Sequence, residues 1–163
     1  MAKRSLIDVA SSLSLAVAEE ISNGALKAAR AEEMLPLTVA VLDSGGQIVV
    51  LKREDGCGTV RADIAIGKAS AALGMGIGSR TLRDRLKERP AFQASIAAAS
   101  DGRFVAVPGG VLILNDGGQA IGAVGISGDT SDCDEYAALA GIHGAGFASH
   151  PEEAAENWRG SKL

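Results

Sequence analysis

Arg61 and Lys68 stand seven residues apart in a run otherwise rich in Ala, Ile and Gly. On a helix that spacing brings both to nearly the same face. Two cations over an apolar wall suit a carboxylate ligand, which a guanidinium can grip with paired hydrogen bonds. The same pair also suits a structural role, as surface charges or as a salt bridge to Asp55 or Asp63. Pro108-Gly109-Gly110-Val111 offers a complement. Successive glycines let neighbouring N–H groups point one way and form a concave anion site, although Pro-Gly-Gly is equally a plain turn. If that loop faces Lys68, the two hold one acid from both sides. The expected ligand-binding residues are therefore Arg61, Lys68, Pro108, Gly109 and Gly110.

Proton transfer has its own candidates in Asp43, Asp55 and Lys68. A carboxylate works well near neutrality only with a raised pKa, and Asp43 also fits turn chemistry. Cys57 follows Asp55-Gly56 and would be a nucleophile if a helix onset lowered its pKa; a buried inert thiol is the plainer reading. Ser127 lies in Gly-Ile-Ser-Gly-Asp, which lacks the second glycine of a nucleophile elbow. No metal site is expected. Asp132, Cys133, Asp134, Glu135, His143 and His150 carry donor atoms but no compact ligand spacing.

The elements that must position these residues follow from apolar spacing. Leu6, Val9, Leu13, Val17, Ile21 and Leu26 predict an amphipathic helix from Ser5 to about Glu33, broken near Ser22-Asn23-Gly24. Leu37–Leu42 and Gln47–Leu51 predict a hairpin around Asp43-Ser44-Gly45-Gly46. A helix is expected from near Thr59, its glycines implying a closely packed neighbour, then short helices over 79–89 and 90–100 with Pro90 in a first turn. Phe104–Val107, Val111–Leu114 and Gln119–Ile126 read as strands, Asp132–Ala148 as a helix, and a short terminal helix is expected around Trp158. Leu42-Asp43-Ser44-Gly45-Gly46-Gln47 is echoed by Leu114-Asn115-Asp116-Gly117-Gly118-Gln119, for which shared turn chemistry is the simpler explanation.

Composition narrows the function classes. The chain has 163 residues, 47% of them hydrophobic and only 3% aromatic, so an Ala, Val, Ile and Leu core is expected within one domain. A formal charge of −4 supplies no basic surface for phosphates, and five aromatic residues in all give few stacking platforms. Nucleic acid is not an expected partner. No apolar run is long enough for a membrane span or a signal h-region, so a cytoplasmic protein with reduced Cys57 and Cys133 is expected.

Taken in order, Thr38–Gly46, Arg53-Glu54-Asp55-Gly56, Gly67-Lys68-Ala69, Pro108–Val111 and Ile121–Gly128 followed by Asp134-Glu135 resemble the GlcG/HbpS-like family. This is also called the heme-degrading-domain family and is related to the C-terminal domain of PduO-type proteins. The resemblance covers residues 5–147 and leaves a polar tail, 148–163. It implies a profilin-like α+β fold, a five-stranded antiparallel sheet flanked by helices, and a homo-oligomer: dimer, tetramer or octamer. Some members bind heme through a histidine near the end of the first helix; the matching place here is about Ala29, which cannot ligate iron. No cofactor is therefore expected, and heme would need His143, His150 or Cys57. The leading expectation is a small-molecule binding protein holding an acidic organic ligand. The alternative is an isomerase or lyase acting on a small hydroxy or oxo acid.

Overall fold

In the computed structural model, which describes residues 6–163, five antiparallel strands form one sheet in the order β2-β1-β4-β3-β5. The chain runs α1 (Leu15–Ala31), β1 (Thr38–Asp43), β2 (Ile48–Arg53), α2 (Arg61–Met75), α3 (Ser79–Leu86), α4 (Pro90–Ala99), β3 (Gly110–Leu114), β4 (Ala120–Ser127), α5 (Ser131–Gly144) and β5 (Ala148–His150). A 3₁₀ turn, Trp158–Gly160, follows. Successive strand residues point to opposite faces. Val39, Val41, Val111, Val124 and Ile126 accordingly pack with α1 and α5 residues such as Ile21, Ala25, Ala138 and Ile142. Leu42, Leu112 and Ala123 pack with Ala69 and Ala72 of α2. The sheet thus lies between an α1–α5 layer and α2, and the expected fold class is borne out.

Several boundaries move for local reasons. The first helix starts at Leu15 because the Ser14 hydroxyl accepts the Val17 N–H at 3.2 Å and caps it. Leu6, Ile7 and Val9 lie outside the helix and are exposed, while Ser5 falls outside the described residues. The expected break at Ser22-Asn23-Gly24 does not occur. Gly141 lets α1 and α5 touch backbone to backbone there, since a Cβ on it would stand 2.4 Å from the Ile21 carbonyl oxygen. Phe104–Val107 is no strand. Its Val105 N–H donates to the Gly67 carbonyl at 3.1 Å, and Phe104 and Ala106 pack with Leu82 and Leu86 under α3. The apolar run that reads as β here serves a segment laid between helices. The fifth strand is instead Ala148–His150, pairing with the free edge of β3 after Gly146, at φ +85°, ends α5. The 3₁₀ turn at Trp158 stands where a terminal helix was expected.

Both hairpins turn in the same way. The Asp43 carboxylate accepts the N–H groups of Gly45 and Gln47 at 2.9 and 3.0 Å. The Asn115 amide oxygen accepts those of Gly117 and Gln119 at 3.0 and 2.9 Å. These turns share one end of the sheet, because β1 and β3 are both antiparallel to β4.

Candidate functional site

At the opposite end, β3 begins with Gly110, which pairs across the ladder with Gly125 of β4. Neither position tolerates a side chain. A Cβ on Gly125 would stand 1.8 Å from the Ala65 carbonyl oxygen and one on Gly110 would stand 2.2 Å from that of Lys68. These side-chain-free positions let α2 lie directly on the sheet. A Cβ on Gly109 would meet Lys68 Nζ at 2.9 Å, so the glycines also clear a path for the lysine. Lys68 follows that path to the other helical layer, where its ammonium donates to Asp134 Oδ2 at 2.8 Å.

This ion pair is buried, with side-chain exposures of 2% and 1%. Asp134 Oδ1 accepts the Asp129 N–H at 3.0 Å, which satisfies the other side of the carboxylate. Burial still pushes the Asp134 pKa up to about 6, against the opposing pull of the Lys68 charge. Burial likewise lowers that of Lys68, with Asp134 pulling it back. Next along α5, Glu135 is fully buried. Arg80 Nε lies 2.9 Å from its Oε1, but the N–H does not aim at the oxygen, so the contact is coulombic and both carboxylate oxygens lack a hydrogen-bond donor among the described residues. Burial pushes the Glu135 pKa up to about 7, partly offset by Arg80.

Above this buried layer an open cleft of about 390 Å³ is lined by Arg61, Arg83, Pro108, the start of α5 from Asp129 to Asp132, and the segment Ser161–Leu163. Arg61 donates to the Ser127 hydroxyl at 3.2 Å and carries no salt bridge among the described residues. The first turn of any helix leaves N–H groups unpaired and a partial positive charge, so α5 adds to the arginines. The Thr130 hydroxyl uses one of those groups by accepting the Cys133 N–H at 3.3 Å. The arrangement can hold an anion.

The structure therefore brings Arg61 and Pro108 to one cleft, while Lys68, Gly109 and Gly110 do not line it; Lys68 is joined to its wall through Asp134 and the Asp129 N–H. The partner of Lys68 is Asp134, not Asp55 or Asp63, both of which are exposed. Asp43 is engaged in its turn. Asp55 lies elsewhere, beside Arg30, Pro36, Arg53 and Glu54. Cys57 is buried, 3.2 Å from Thr38 Oγ1, and precedes the first residue of α2 by four positions. Burial raises the Cys133 thiol. Among the described residues no group of three His, Cys, Asp or Glu side chains could hold a metal ion, and no helix is long and apolar enough to cross a membrane. Sequence reasoning missed Asp134 and Glu135 as buried partners and Arg80 and Arg83 as their neighbours. Thr130-Ser131-Asp132, a cap followed by acids, was the available signal for the start of α5.

The histidines are separate from this cleft. The Ser149 hydroxyl donates to the Pro151 carbonyl at 2.7 Å, so it must accept from His143 Nε2–H at 2.9 Å. His150 Nδ1 accepts the Gly78 N–H at 2.9 Å. Ala29 is fully buried.

The model of the family described as haem degrading protein HbpS-like matches residues 13–143. An uncharacterised 15.0 kDa protein of the dhaT-dhaS intergenic region of Citrobacter freundii is 30% identical over 127 residues, which is 77% of this chain and 87% of that protein. Among solved structures, a PduOC:heme complex superposes with a TM-score of 0.75 at 25% identity, covering 85% of this chain and 98% of that one. A double mutant of HbpS from Streptomyces reticuli gives a TM-score of 0.70 at 26% identity, covering 88% and 92%.

Proposed function

This chain belongs to the HbpS-like family, and we propose that it binds a small carboxylate-bearing organic molecule in the cleft of Arg61, Arg83 and Pro108. The carrying observation is a guanidinium without a carboxylate partner among the described residues, Arg61, set beside the start of a 14-residue helix in a cleft of ligand size. Lys68 and its glycines act from below in this reading. The lysine holds Asp134, and Asp134 holds the Asp129 N–H at the cleft wall, so the floor is set before a ligand arrives.

The experiment is a calorimetric titration with citrate, together with melting curves. Citrate binds the wild-type chain, and Arg61→Gln weakens it by roughly ten- to a hundred-fold, the worth of a hydrogen bond to a charged group, while the melting temperature changes little. Equal citrate affinity in a folded Arg61→Gln protein sinks the reading.

A second reading, heme binding, is favoured by the similarity to the PduOC:heme complex. His143 would be the iron ligand, through Nδ1, at an open depression of about 600 Å³ that it lines with Leu114, Ala148, Ser149, Glu152 and Glu153. The chemistry of that wall fits poorly, since two glutamates would repel the propionates. A hemin titration tests it: the expected result is a broad, weak Soret change, and a sharp band lost in His143→Ala would reverse that expectation.

Cytoplasmic residence and homo-oligomer assembly belong to the same proposal. The two cysteines are unpaired and buried, which accords with a reducing compartment. Assembly needs an apolar surface that the fold leaves uncovered. Residues of α2 and α5 are covered by the sheet and by α1, whereas α4 is rich in Ala, with Phe92 and Ile96, and has no buried residue. Light scattering that gave the 16.5 kDa chain mass at micromolar concentration would refute assembly.

A further inference from the structure

The segment beyond the family match, residues 144–163, contains a separately anchored strap. Trp158 stacks on Tyr136 of α5, with ring centroids 3.8 Å apart and 12° between planes. Its carbonyl accepts the Cys133 thiol at 3.6 Å, and the Arg159 guanidinium both covers the indole face and pairs with the two Glu32 oxygens of the α1 C-cap at 2.7 and 3.1 Å. The strap is thereby fixed to both helices of one layer. From there the backbone extends, with Ser161 at φ −64° and ψ 141°, and Ser161, Lys162 and Leu163 form one wall of the Arg61–Arg83 cleft. After the Ser161 N–H, which donates to the Trp158 carbonyl at 3.3 Å, Lys162 and Leu163 make no hydrogen bond to any described residue. The strap is latched at one point and loose over the cleft.

Resting on the carboxylate-binding reading, we infer that Ser161–Leu163 is a ligand-responsive wall and that Lys162 is a third cation for the bound acid, with Trp158 and Arg159 as its latch. Charge supports the assignment. Asp129 and Asp132 stand in the cleft and Arg83 pairs with Asp84 at 2.9 Å, so Arg61 and Lys162 are the lining cations that carry no salt bridge among the described residues. An anion arriving there gives the loose segment something to hold. A ligand with several carboxylates gains most, because one carboxylate can meet Arg61 while another meets Lys162.

Citrate is again the probe, with two readouts: affinity by calorimetry, and amide hydrogen exchange across 158–163. Lys162→Ala weakens citrate about two- to five-fold, the scale of an exposed ion pair, and leaves melting unchanged. Arg159→Ala, which opens the latch, also weakens citrate and speeds exchange at Ser161–Leu163. In the wild type, citrate slows that exchange. If Arg61→Gln impairs citrate binding while Lys162→Ala and Arg159→Ala bind as well as wild type, the strap assignment is overturned and the cleft reading stands. If citrate fails to bind, or binds regardless of Arg61, both are overturned together.

Discussion

The two ends of the sheet are held in opposite ways. At the hairpin end, Asp43 and Asn115 each satisfy backbone N–H groups within four positions of themselves, in contact with solvent. At the other end, Lys68 reaches Asp134 across 66 positions of sequence, in the dry interior, past Gly109, whose missing side chain leaves room for the lysine, while Gly110 and Gly125 let α2 lie on the sheet. An exposed turn costs little when one group is removed, because water replaces it. A buried charge has no such substitute. This fold can therefore be altered cheaply at its hairpin end and only at a large cost at the other.

The largest effect is expected for Lys68→Met. It strands the Asp134 carboxylate, and the expected loss is about 3–5 kcal/mol in urea unfolding. Lys68→Met combined with Asp134→Leu recovers most of that loss, since no charge is then left buried. A single-mutant cost under about 1 kcal/mol, the range of exposed pairs, would make the two ends equivalent.

Glu135 extends the same contrast to pH. Its carboxyl titrates near 7 in the folded chain against 4.5 ordinarily, with burial as the main cause. Below pH 4.5 both states are protonated and the group has no effect. Between about 4.5 and 7 the unfolded chain ionises while the folded one keeps its proton, so stability falls as pH rises. Above that window the full penalty, at most roughly 3 kcal/mol, is in place. Glu135→Gln removes it, so the variant's advantage over wild type grows through that window and then levels off. A difference that is flat with pH would show that Arg80 compensates the charge.

Gly125→Ala probes the contact between α2 and the sheet. With the Ala65 carbonyl in the way, the expected loss is about 1–3 kcal/mol. Gly74→Ala in the same helix, where a Cβ meets nothing within 4 Å, should instead stabilise by up to about 1 kcal/mol. Thermal unfolding of the two variants distinguishes close packing from plain helix propensity. The smallest effect is expected at the turns: Asp43→Ala and Asn115→Ala each cost about 1 kcal/mol, because both side chains accept the same pair of backbone N–H groups and Asn115 adds only an exposed 3.3 Å bond to the Gln119 side chain. A large difference between them would mean that the Asp43 charge does more than shape its turn.

Much of this molecule follows from short-range physics and was legible residue by residue. Apolar runs between turns placed β1, β2, β3 and β4, Gly-Gly after an Asx residue placed both turns, and Pro90 opened α4. The ordered motifs identified the family, and with it the five-stranded antiparallel sheet. Local patterns misled where tertiary contacts overrode them. Phe104–Val107 is an apolar run like a buried strand yet hydrogen-bonds to α2, and Ala148–His150 is too short to announce the strand that it forms on the β3 edge. The candidate site divides along the same line. Arg61 and Lys68 were recognisable as one helical face, because residue types and helical spacing are properties of the chain itself, whereas the Pro108–Gly110 loop joined them only on the condition that it faced Lys68. Only the folded chain decided that Lys68 is a buried strut to Asp134, that Arg61 and Arg83 face the cleft, and that Lys162 comes to the same wall. Burial and charge pairing depend on which distant segments meet, and a carboxylate's role is set by its partner and its dielectric surroundings, neither of which is written in its neighbours along the chain.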